Sequence, residues 1–161
     1  MRTIDADLGV AAIVVQDEGI LLVQEGQGKH KEFWGLPKGF VESGELPANA
    51  VIRELYEECG LSGTVTGLIG IRETLRDSNP CVFIAYRVRV QNNNLSINSS
   101  EISAARFFGL DELSDLKWIS SAMHLLAKSG LEANDSTSLI DFTSTQNHPY
   151  LVHLCGEVQP A

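Results

Sequence analysis

Long apolar runs are missing from this sequence. None approaches the ~18 residues that a membrane-spanning helix needs. The opening stretch, "MRTIDADLGVAAIVV", puts Asp5 and Asp7 where a signal peptide carries its basic region. No membrane association and a cytoplasmic location are therefore expected. Cysteine is scarce. Cys59, Cys81 and Cys155 are far apart, odd in number and without a CxxC pair, which leaves no basis for a disulfide framework or a structural zinc site. Cys59 and Cys81 read as small buried hydrophobes. His148 and His153 have no acid in a matching frame and form no metal pattern. Basic residues are few, with 12 Lys and Arg against 21 Asp and Glu, for a net charge of −9. Such a surface repels nucleic-acid backbones and anionic membranes, which argues against both as partners. A small phosphorylated ligand stays compatible, because a local basic patch or a bound cation reverses the sign at one site. No internal repeat is visible.

What is present fits one domain with one core, at 161 residues and 43% apolar composition. Val10 to Val15 and Ile20 to Gln24 read as strands around a turn at Asp17-Glu18-Gly19. A loop with Lys29, His30 and Lys31 follows, then an extended "FWGLPKGF". Pro47 suits the first position of a helix and Gly60 its C-terminal stop, so a helix is expected over Ala48 to Cys59. "TVTGLIGIRETL", "CVFIAYRVRV" and "AARFFGL" carry the β-branched and aromatic residues of strands. "DELSDLKWISSAMHLLAKSG" reads as one or two helices ending near Gly130. Beyond it, a Ser/Thr/Asn-rich loop precedes a short strand candidate, "YLVHLC". Phe107 and Phe108 are adjacent on a strand and point to opposite faces. The fold class is α/β or α+β with a mixed sheet. Residues 1–130 are expected to form the main domain and 131–161 an extension packed on it.

The stretch "GFVESGELPANAVIRELYEECGL" gathers glutamates in a chain that is already acidic. At about 100° per residue, Val51, Ile52, Leu55, Tyr56 and Cys59 cover one arc as the core face. Glu54, Glu57 and Glu58 fall on a neighbouring arc. Glu54 and Glu58 are an i,i+4 pair, so their like charges repel. Three acids on one patch make an oxygen-lined site for a hard divalent cation such as magnesium, which is commonly shared with substrate phosphates. The cation would offset the repulsion.

The spacing G-x5-E-x7-R-E-U-x-E-E-x-G-U, with U aliphatic, is filled by Gly39, Glu45, Arg53, Glu54, Leu55, Glu57, Glu58, Gly60 and Leu61. It resembles the signature of the Nudix hydrolase superfamily, with every position occupied. The flanking "FWGLPKGFVESGE" and "EISAARFFGLDEL" also resemble the family's arrangement. The resemblance implies a Nudix fold, with a mixed β-sheet sandwiched between α-helices. It implies cleavage of a phosphoanhydride in a nucleoside diphosphate linked to another group, with Mg2+ or Mn2+ as cofactor. Carried onto this chain, Glu54 and Glu58 would be metal ligands, and Glu57 a further ligand or the residue that positions the attacking water. Gly39, or the residue before it, would offer a carbonyl oxygen. Arg53 would hold the glutamates in place and Glu45 would brace the loop. Glu101 occupies the place of the later-loop acid, so Glu57 or Glu101 would accept the water's proton. Lys38, Arg72 and Arg76 are candidates for meeting substrate charge, with Arg87 a weaker one.

Substrate markers outside the motif are mixed. ADP-ribose-type members often carry a proline some fifteen residues past it, and Pro80 lies later. Dinucleoside-polyphosphate members often carry a tyrosine nearby, and Tyr86 lies further on. An ADP-ribose or nucleotide-sugar-like diphosphate is preferred. Nucleoside triphosphates and dinucleoside polyphosphates are the alternative, and a non-catalytic nucleotide-sensing or protein-binding module is the alternative of another class. The resemblance also raises a homodimer, to which the C-terminal segment could lend an exchanged strand.

Overall fold

A computed structural model describes residues 4–97, 99–133, 137–141, 143–146 and 151–154. Cys155 and His148 lie outside the described residues. The chain opens with β1 (Asp7–Ile13), whose apolar run is continuous because both its faces are covered. Val10 and Ala12 pack toward one core and Ala11 and Ile13 toward another. β2 (Val15–Gln16) turns into β3 (Gly19–Glu25) through Asp17 and Glu18, at φ 47° and 63°. Two consecutive residues with positive φ make the tight hairpin turn whose twist matches that of its strands. Asp77 and Ser78 do the same between β6 (Gly63–Arg76) and β7 (Asn79–Val90).

"FWGLPKGF" supplies two short strands, β4 (Trp34–Gly35) and β5 (Lys38–Phe40). One sheet runs β5-β1-β7-β6, with β1 and β7 parallel and the other pairs antiparallel. In the second sheet β3 lies between β2 and β4 and also pairs with β8 (Ile102–Phe108). α1 (Pro47–Cys59) packs on one side with Val51, Leu55 and Cys59. α2 (Ser121–Glu132) packs on the other with Met123 and Ala127. The sheets thus lie between helices, as the Nudix resemblance implied. Phe108 is buried on the α2 side and Phe107 packs toward the α1 side, one to each face. Cys59 and Cys81 are buried free thiols.

α1 starts at Pro47 and ends where Gly60, at φ 69°, donates its N–H to the Tyr56 carbonyl at 2.8 Å. Its core face differs from the arc drawn on the sequence. Tyr56 is 60% exposed, whereas Glu58 is only 6% exposed. The helix leans over the short edge strand β5, so its buried arc is rotated toward the acids. The segment expected as one or two helices divides into a 3-10 turn, Leu110–Asp115, and α2, which Ser120 caps by accepting from Met123 N–H at 3.1 Å. The Ser/Thr/Asn-rich stretch expected as loop contains β9 (Ser138–Asp141) and a single helical turn, α3 (Thr143–Gln146). β9 pairs with β10 (Leu151–Leu154), within the expected short strand. Thr137 accepts from Leu68 N–H on β6 at 2.8 Å.

Candidate active site

Arg53 is the hub on which the loop before α1 is built. Its Nη2 donates to Glu45 Oε1 at 2.6 Å and to the Phe40 carbonyl at 3.0 Å. Nε reaches Glu45 Oε2 at 3.2 Å, and Nη1 reaches Glu54 Oε1 at 2.7 Å and Glu57 Oε2 at 3.4 Å. Glu45 Oε1 also accepts from Glu42 N–H at 2.8 Å. A planar fork with five donors suits this multiple role, because one rigid group ties β5, the loop and α1 together. The hydrogen bond to Glu45, with help from Glu54, raises the guanidinium's pKa above its ordinary value. The same bond lowers that of Glu45.

Glu54 lies directly on the backbone of β5. A Cβ added at Gly39 would fall on the Glu54 carboxylate, so this position needs glycine for close approach. Burial raises the Glu54 pKa, opposed by Arg53. Glu58 is the most deeply placed acid. It accepts from Lys38 N–H at 3.0 Å, yet burial pushes its carboxyl up to about 8, against the pull of Lys38 and with a push from Glu54 and Glu25. An ionised carboxylate with so little water and so few donors calls for a positive partner.

These groups open into a cavity of about 620 Å³. Glu54, Glu58, Gly39 and Lys38 line one end, with Glu25, Glu42 and Glu101 beside them. Arg72, Arg76, Phe40, Phe83 and Cys81 line the strand side, and Ser120, Met123 and Leu126 close it from α2. Every sequence candidate except Glu45, Arg53, Glu57 and Arg87 reaches this cavity. Glu57 is 54% exposed and turned to Arg53. Arg53 stands behind the glutamates. Arg87 is elsewhere, donating to the Gly130 and Ala133 carbonyls at 2.8 and 2.9 Å at the end of α2. His30 lines the cavity edge and meets Phe33 edge to face. Glu25 was not singled out on the sequence. It forms an ion pair with Lys38, thirteen residues on, and only the meeting of the end of β3 with β5 at the cavity brings it there. Nothing in the local pattern marks it.

The donor set suits a hard divalent cation, since the candidate ligands all offer oxygen. The buried Glu58 and the carboxylate of Glu54 laid over Gly39 are the groups that would hold it. Among the described residues, no three His, Cys, Asp or Glu side chains stand close enough together to hold a metal. Glu54 is turned to Arg53 and Glu58 to the Lys38 N–H, so the ligands would swing away from these partners on binding.

The sequence model of the NUDIX domain matches residues 6–128. An ADP-ribose pyrophosphatase of Methanocaldococcus jannaschii is 33% identical over 112 residues, which cover 68% of this chain and 65% of that protein. An asymmetrical bis(5′-nucleosyl)-tetraphosphatase of Sus scrofa is 35% identical over 101 residues, 60% of this chain and 67% of that one. Among solved structures, a NUDIX hydrolase of Nitrosomonas europaea aligns with a TM-score of 0.71 at 19% identity, covering 92% of this chain and 77% of its own. The chain spans just under two thirds of the length of the first of these relatives.

Proposed function

Because the chain belongs to the NUDIX domain family, we propose that it is a metal-dependent pyrophosphohydrolase acting on a nucleoside diphosphate linked to another moiety. ADP-ribose or a nucleotide sugar is the preferred substrate. One observation carries this reading: a buried carboxylate, Glu58, and its neighbour Glu54 face a cavity with room for a nucleotide. Glu54 and Glu58 would hold Mg2+ or Mn2+, with a carbonyl at Gly39 or Lys38 as a further donor. A cation bound there neutralises phosphate charge and lowers the pKa of a water. Arg53 fixes the direction of Glu54 and the shape of the loop. Glu101 lines the same cavity, which supports it as the group that would take the proton from the attacking water. Glu57, exposed and held by Arg53, would shape the outer side of the site. Lys38 and Arg76 would meet phosphate charge, although each already has an acid partner, Glu25 and Asp7.

The test is product release from ADP-ribose, UDP-sugars, GDP-sugars, nucleoside triphosphates and diadenosine tetraphosphate, with Mg2+ and then with EDTA. Hydrolysis of a diphosphate-linked compound that EDTA abolishes is expected. The relatives' names make ADP-ribose and dinucleoside tetraphosphates the first comparisons. If nothing is hydrolysed but a nucleotide binds, the chain is a nucleotide-sensing module.

A further inference from the structure

The acids account for one end of the cavity and leave the other without an occupant. Four residues form a row across the first sheet. Phe40 on β5 pairs with Gly9 on β1, Gly9 with Phe83 on β7, and Phe83 with Arg72 on β6. Residues directly opposite one another on neighbouring strands share a face. The row therefore sets two aromatic rings and a guanidinium on one surface. Gly9 leaves room for the Phe83 ring, which lies over it: a Cβ there would stand 2.6 Å from that ring. Three interstrand steps span roughly 14 Å, so Arg72 lies far from the acids at the β5 edge.

Arg72 has an unusual environment. Its guanidinium lies 5.3 Å from the Phe83 ring centroid, and Nη2 is 3.8 Å from Cys81 Sγ. Among the described residues it has no carboxylate partner, unlike Lys38 and Arg76 in the same cavity. Met123 and Leu126 of α2 provide an apolar facing wall. The far end is thus a slot with an apolar wall on the α2 side and, opposite it, one fork that only donates. A second phosphate would enter a largely apolar slot in a cavity already walled by five glutamates. The guanidinium covers the buried Phe83 ring, so a planar base would lie in the guanidinium's own plane, between the sheet and α2, and present its edge to the fork.

Resting on the reading that this cavity takes a nucleotide, we propose that Arg72 reads the base. Its guanidinium donates to a carbonyl oxygen on the base edge, so guanine- and uracil-type bases are preferred over adenine. Guanine offers the adjacent O6 and N7 acceptors that an arginine fork matches, while adenine presents an amino donor that a guanidinium cannot accept. Within the proposed class this moves the preference from ADP-ribose to a nucleotide sugar with a carbonyl-bearing base.

Isothermal titration of the full chain with GMP, UMP and AMP in EDTA tests this without turnover. The wild type is expected to bind GMP and UMP more tightly than AMP. Arg72→Gln should weaken GMP about tenfold and AMP little. Arg72→Lys should lose most of the same preference, because an ammonium keeps the charge but not the fork. Thermal unfolding of both variants checks the fold, and Arg72→Lys decides if Arg72→Gln does not fold. Equal weakening of all three nucleotides would place the phosphate at Arg72 and overturn the assignment, as would no change in any. An Arg72-dependent preference for GMP without metal-dependent hydrolysis would sink the hydrolase reading alone. Metal-dependent hydrolysis with no Arg72-dependent base preference would sink this one alone.

Discussion

If Glu58 holds the proposed cation, it trades stability for metal binding, and that trade can be measured. Its carboxyl rises from the ordinary 4.5 to about 8, mainly because burial removes water from the charged form. A carboxyl raised in the folded state adds most stability while protonated, below about pH 4.5. That contribution is lost as the pH climbs through about 8. The loss has a slope of about 1.4 kcal/mol per pH unit over that window. At pH 9 the metal-free protein would carry a cost of up to roughly 5 kcal/mol, less whatever water penetrates the site. Glu58→Gln keeps the shape and can still accept from the Lys38 N–H, but it does not titrate. In EDTA the variant should therefore match the wild type near pH 5 and exceed it by several kcal/mol at pH 9. For a chain of this size that is a rise in Tm of about 10 °C. Urea unfolding across pH 5 to 9 gives the difference directly. Mg2+ should then stabilise the wild type and leave the variant unchanged, while turnover falls by several orders of magnitude. A variant no more stable than the wild type at pH 9 would mean that the fold already compensates Glu58. The physical case for a cation at this seat would then fail.

Gly39→Ala places a methyl where the Glu54 carboxylate lies, so Mn2+ affinity should weaken at least about tenfold by calorimetry, while far-UV dichroism stays native. Arg53→Ala releases Glu45, Glu54 and the Phe40 carbonyl together, and a misplaced ligand costs about 100-fold in kcat. Arg53→Lys should rescue little of it, since one ammonium cannot make the same five contacts; full rescue would reduce Arg53 to its charge. Glu101→Gln should lower kcat about 100-fold or more. Glu57→Gln should do less, as Glu57 is turned away from the cavity; the opposite order would make Glu57 the base.

Local pattern made the helix legible. Pro47, Gly60 and the apolar residues between them set its limits through backbone rules that need no tertiary partner. The hairpin turn at Asp17-Glu18 was legible in the same way, as a polar break between apolar runs. The exposed Tyr56 was not. The helical wheel is symmetric about what lies beside it, and only the position of β5 turns the buried arc toward Glu58. β9 was hidden because its strand residues sit in a polar stretch and are held by pairing with β10.

The order Gly39, Glu45, Arg53, Glu54, Glu57, Glu58 and Gly60 was fixed by the chain itself. Fixed spacing on one helix decides which side chains meet, and with it the kind of ion they suit. Tertiary structure alone decided how much water Glu58 keeps, that Glu25 joins Lys38, that Arg87 serves a helix end, and that Arg72 lies in a row with Phe83. Those relations depend on how strands and helices pack against one another, and burial and charge are properties of that assembled space.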